Sequence, residues 1–82
     1  MDFENFKSEI CDKYSGCDES TAEKIAKRAR QYHSKHNSNN TAEDWLSIMT
    51  RYNQQDPIAA WNYAVGWADV SNFGGSSPYK ID

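Results

Sequence analysis

Four residues carry the side chains that a zinc ion would want: Cys11, Cys17, His33 and His36. Zinc sites usually draw their ligands in close pairs, C-x2–4-C and H-x3–5-H. This chain offers C-x5-C and H-x2-H, so both pairs miss and the sequence predicts no metal. A nucleophilic enzyme would need a Cys or Ser beside a His and a carboxylate. Those residue types are present, but nothing marks a strained nucleophile turn, an oxyanion loop or a phosphate-cradling glycine motif. Gly74-Gly75 lies near the end of the sequence rather than between a strand and a helix. The expectation is a protein with no catalytic residues and no cofactor. Two cysteines are too few for a disulfide framework and are most simply read as reduced, although a Cys11–Cys17 bridge is sterically conceivable.

The charges are more organised. Residues 1–23 carry seven acids against Lys7 and Lys13, a net charge of -5. Residues 24–36 carry Lys24, Lys27, Arg28, Arg30 and Lys35 with no acid, net +5, and the remainder is net -3. Lys24, Lys27, Arg28, Gln31 and Lys35 recur at i, i+3, i+4, i+7 and i+11, a single stripe on a helix that could lie along a phosphate backbone. Charge runs more often just face water, here with an acidic first helix packed beside them. An overall charge of -3 also weighs against a general nucleic-acid binder. Carboxylates suited to meeting a basic partner are Glu9 and Asp12 near the start, Glu43 and Asp44 in mid-chain, and Asp69.

Positioning these groups falls to one small domain, because 82 residues leave a thin core and no room for a doubly wound nucleotide-binding sheet. No run approaches the length of a membrane span, and Met1-Asp2-Phe3-Glu4 lacks the opening of a signal peptide, so a soluble, cytoplasmic protein is expected. Four helices can be read. Phe3, Phe6, Ile10 and Tyr14 line one face of the first, with Asp2 as N-cap and Gly16 beyond its end. The second opens on a Ser20–Glu23 capping box and has a narrow stripe of Ala22, Ile25, Ala26 and Ala29. The third starts near Thr41, with Trp45, Ile48, Met49 and Tyr52 as its buried face and Leu46 beside them. The fourth has Asp56 as N-cap and Pro57 at N1 and stays apolar nearly all round from Ile58 to Val70, stopping near Asn72. Gly66 inside it suggests a close backbone approach. The expected fold is an all-α bundle of about four short helices over residues 1–73, followed by a flexible Gly/Ser/Pro-containing tail over 74–82.

Eleven aromatic residues are a large share for so short a chain. Most must be core, yet Trp61 and Trp67 lie nearly opposite Tyr63 and Val70 around helix four, so not every ring can face one core. Exposed Trp and Tyr are the usual anchors of protein interfaces, and Trp67, close to Asp69 and the tail, is the expected anchor here. A helix apolar on all sides could also be covered by a second copy.

The run Thr41-Ala42-Glu43-Asp44-Trp45-Leu46, followed by an alanine-rich helix with the pair Tyr63-Ala64, resembles part of a small anti-CRISPR family that inhibits type II-C Cas9. The resemblance implies a mixed α/β fold and occlusion of a host protein or ribonucleoprotein complex. The first half of this sequence departs from that family, having no β-hairpin pattern, and no functional residue is carried over. Together these readings predict an acidic, non-enzymatic protein-binding module of phage or mobile-element type. The alternative is a helix-turn-helix-like nucleic-acid binder using Lys24, Lys27, Arg28 and Lys35.

Overall fold

A computed structural model describes residues 1–70 and 77–82. Four helices follow one another: α1 (Phe3–Lys13), α2 (Glu19–His36), α3 (Ala42–Tyr52) and α4 (Pro57–Ala68). No strand occurs among the described residues, so the fold is all-α. α1 packs along α2, α3 along α4, and the two pairs join through α1–α3 and α2–α4 contacts.

Each helix begins where a side chain satisfies its first amides. Asp2 Oδ1 accepts from Glu4 and Asn5 N–H, and Asp56 Oδ1 accepts from Ile58 and Ala59 N–H just ahead of Pro57. Thr41 and Asp44 form a reciprocal capping box at α3. At α2 the cap is Asp18 rather than Ser20: its carboxylate accepts from Thr21 N–H at 2.7 Å, and that bond holds its pKa below the ordinary value. A carboxylate two residues earlier starts the helix before the serine can act. Left-handed residues reverse the chain at Gly16 (φ 82°) and at Asn37 (φ 52°), where α2 ends.

The core is built on two indoles, with Trp45 of α3 and Trp61 of α4 in contact at 4.8 Å between ring centroids. Phe6, Ile10 and Tyr14 cover them from the α1 side, and Ala22, Ile25, Ala29 and Tyr32 from α2. The small side chains of α2 let α1 approach closely, as their sequence spacing suggests. Tyr14, just past the end of α1, donates from its hydroxyl to Asn53 O at 2.8 Å, and burial pushes its pKa up to about 12. On α3 the buried stripe is Ala42, Trp45, Leu46 and Met49, whereas Ile48 is half-buried and Tyr52 exposed. Leu46, not Tyr52, turns inward because the Ile48–Tyr52 edge faces the outer side of α4.

α4 ends at Ala68, earlier than its apolar run, with Asp69 as C-cap. The expected stop near Asn72, the Gly74-Gly75-Ser76 stretch and Phe73 lie outside the described residues. The separate tail is therefore seen only from Ser77, and from there it lies on the bundle. Trp61 Nε1–H donates to Tyr79 O at 2.9 Å, and Asn62 holds Ile81 by both backbone groups, accepting from its N–H and donating to its carbonyl at 2.7 Å each. Tyr79 packs edge-on against Tyr32 and His36. Gly66 leaves space for this segment: a Cβ there would stand 2.9 Å from Lys80 Cε, so the approaching group is a side chain and not backbone.

Candidate functional site

The exposed rings gather in one place. Trp45 and Trp61 are 0% exposed, whereas Trp67 is 61% exposed, Tyr52 54% and Tyr63 45%. Tyr52, on the last turn of α3, stacks flat on Tyr63 of α4, with centroids 3.9 Å apart and planes 4° apart. Trp67 follows Tyr63 by one helical turn, so it lies on the same face, which corrects the reading that sets it opposite Tyr63; only Trp61 is opposite. Ile48 and Arg51 complete a surface groove of about 370 Å³ lined by these three rings. Adjoining it in sequence, Val70 is 79% exposed. Two flat rings already stacked and a third beside them lose little side-chain freedom on binding, which suits them to anchoring a contact.

The predicted carboxylates part company. Glu9 of α1 and Glu43 of α3 line a common groove of about 310 Å³ with Lys13, Leu46, Ser47 and Thr50. Asp12 is exposed on α1, outside the lining of that groove. Asp44 is exposed but already accepts from Thr41 N–H in the α3 capping box, so its first duty is local. Asp69 corrects the sequence reading. It is 0% exposed and cannot meet a partner's basic surface. Its Oδ2 accepts from Ser77 Oγ at 2.8 Å and its Oδ1 lies 3.6 Å from His36 Nε2, so the carboxylate joins the final segment to the end of α2.

The basic stripe on α2 is only partly free. Lys24, Lys27 and Lys35 are exposed, but Arg28 is half-buried and donates to Gln31 Oε1 at 3.3 Å and to Pro78 O at 3.4 Å. Arg30 sits over the Phe3 ring at 5.3 Å. The first turns of α2 carry Glu19 and Glu23, which share Lys7 of α1 at 3.8 and 3.1 Å, and the hydrogen bonds that Lys7 donates to Glu23 and Glu4 raise its pKa. The expected pairing of acidic α1 with basic α2 runs the other way at this contact: a lysine of α1 answers acids of α2.

The four candidate metal ligands do not converge. Cys11 and Cys17 flank the α1–α2 turn, while His33 and His36 are at the far end of α2, more than about 20 Å away along its axis. Among the described residues no three of His, Cys, Asp and Glu gather where a metal could be held. His33 has a different task that its spacing did not announce. Its Nε2 accepts the Trp45 indole N–H at 2.8 Å, and burial, with the chain's amino terminus nearby, lowers its pKa. The neutral ring is therefore part of the core's hydrogen bonding.

No helix among the described residues is long and apolar enough to cross a membrane. Compared with models of protein families, with curated proteins and with solved structures, the chain matches none.

Proposed function

We propose that this chain is a non-enzymatic protein-binding module whose contact face is the aromatic groove of α3 and α4. One observation carries the reading: Tyr52, Tyr63 and Trp67 lie exposed side by side in a domain that buries its other two tryptophans completely. Leaving three large rings in water forfeits burial free energy that a thin core needs, and such patches on small proteins mark contact sites. The Glu9–Glu43 groove on the other flank of α3 supplies carboxylates for basic groups at the rim of the same partner. The setting we infer, from the resemblance of residues 41–64 alone, is that of a phage or mobile-element protein that inhibits a host defence complex by occlusion.

Two features weigh against the basic-helix alternative. A recognition helix usually leads with its N-terminal residues into the major groove, and here those positions hold Glu19 and Glu23. Arg28, central to the stripe, is occupied by the final segment. The test is affinity capture from a bacterial lysate with the wild type and with Tyr63→Ala/Trp67→Ala, the captured proteins being quantified by mass spectrometry. The module reading expects a protein lost specifically with the double variant while the melting temperature holds. Salt-sensitive, micromolar or tighter binding to duplex DNA that Lys27→Glu abolishes would replace it with the nucleic-acid reading.

A further inference from the structure

The turn between α1 and α2 brings two thiols together. Cys11 lies on the last full turn of α1 and Cys17 immediately before the Asp18 cap of α2. Gly16, in the left-handed region, and the Cys17 N–H to Tyr14 O bond at 3.1 Å fold the chain back on itself. The two Sγ atoms stand 3.8 Å apart as free thiols, and both also face the Asp18 carbonyl, at 3.8 Å from Cys11 and 3.5 Å from Cys17. Both are half-buried against the core, and Cys17 opens onto a shallow depression of about 180 Å³ between this turn and residues 55–58. A reagent can therefore reach the pair from one side. Neither thiol contributes to the aromatic groove or to any helix cap, so the proximity serves nothing described above.

We propose that Cys11 and Cys17 are a modification site, at which a small disulfide such as glutathione disulfide converts the two thiols into an intramolecular bridge across the α1–α2 corner. One thiol loses its proton to solvent, and its thiolate attacks a glutathione sulfur. This gives a mixed disulfide and releases one glutathione thiolate. The second thiol, deprotonated in turn, attacks the protein sulfur of that mixed disulfide, forms the Cys11–Cys17 bond and releases the second glutathione thiolate. Both departing thiolates take up a proton, so two protein thiols and one glutathione disulfide become one protein disulfide and two glutathiones. The two electrons leave the cysteines and reduce the reagent.

Bond formation needs the sulfurs to close by roughly 2 Å, a displacement that side-chain torsions at the corner can supply without moving either helix axis. The reaction is slow at neutral pH, because the thiolate is the reactive form and burial beside Cys11 pushes the Cys17 thiol up to about 11. Its rate should rise steeply with pH. Once formed, the bridge ties the end of α1 to the start of α2 and restricts the unfolded chain.

The experiment is incubation of the folded full chain with glutathione disulfide at several pH values, followed by intact mass, peptide mapping and thermal melting. The expected product has lost two hydrogens, carries no glutathione and maps to a Cys11–Cys17 linkage. Its melting temperature is higher by about 5–10 °C, and a dithiol reductant reverses both changes. Cys11→Ser and Cys17→Ser should each stop at a single glutathione adduct and gain no stability. Should either variant fold poorly, the mapping and melting of the wild type decide alone. Wild type that accumulates two glutathione adducts, reacts only in denaturant, or melts lower after bridging would overturn the proposal.

Discussion

On one side of α4, Trp61 is fully buried, its indole N–H taken by Tyr79 O, with Asn62 next to it gripping the backbone of Ile81. On the other, Tyr63 and Trp67 lie in the open against Tyr52. Both faces are apolar and aromatic, and composition alone would assign both to a core. The first is covered because residues 77–82 return to it, where the Trp61 indole and the Asn62 side-chain amide satisfy the backbone groups of Tyr79 and Ile81. The second has no such segment among the described residues. Among the described residues, a helix apolar all round thus has one face covered by its own chain and one whose rings keep a large fractional exposure, and the binding proposal rests on that exposure.

The sharpest way to break this comparison is to truncate each indole. Trp61→Ala should cost ~3–5 kcal/mol, most of the stability of a domain this size, whereas Trp67→Ala should cost less than ~1 kcal/mol. Urea unfolding of both variants decides; equal losses would make the outer face core as well. Next in size, Asn62→Ala removes both bonds to Ile81 and should cost ~1–2 kcal/mol, with faster amide exchange over residues 77–82 and none gained at Tyr52 or Tyr63.

Below that comes pH. The folded-state pKa of His33 is lowered from 6.5, so near and below that value the unfolded chain binds more protons than the folded one. The stability it contributes is present above pH 6.5 and is lost as pH falls through the lower folded value. Melting temperature should fall across this range in the wild type and fall less in His33→Gln, which keeps an acceptor for the Trp45 indole. The smallest effect is at Gly66. Among the described residues only the flexible end of Lys80 stands in the way of a Cβ, so Gly66→Ala should stabilise by ~0.5–1 kcal/mol through helix propensity. A loss instead would mean that the covering segment is packed too tightly to yield.

Much of the fold is legible in the sequence because its signals are local. Asp2, Thr41, Asp56 and Pro57 mark helix starts by chemistry within one turn, and the Phe6, Ile10, Tyr14 spacing names the α1 face directly. What is not legible depends on distant residues. Nothing near Asp69 in the sequence says that Ser77 and His36 will enclose it, so an acidic residue after a helix reads as surface. Likewise, only the packing of α3 on α4 puts Tyr52 outside and Leu46 inside, since both fit an apolar stripe. Trp67 can be singled out by its place near the helix end beside Asp69, but the reading that sets it across the helix from Tyr63 overlooks that residues four apart share a face. The stack of Tyr52 on Tyr63 joins two helices, and no spacing rule within one helix reports it.

The most direct test of the binding face is hydroxyl-radical footprinting of the chain alone and in complex with the protein it captures. The account predicts strong protection of Tyr52, Tyr63 and Trp67, weaker protection near Glu9 and Glu43, and unchanged reactivity along α2. Protection confined to the Gln31 and Lys35 side of α2, with the three rings still as reactive as in the free chain, would contradict it.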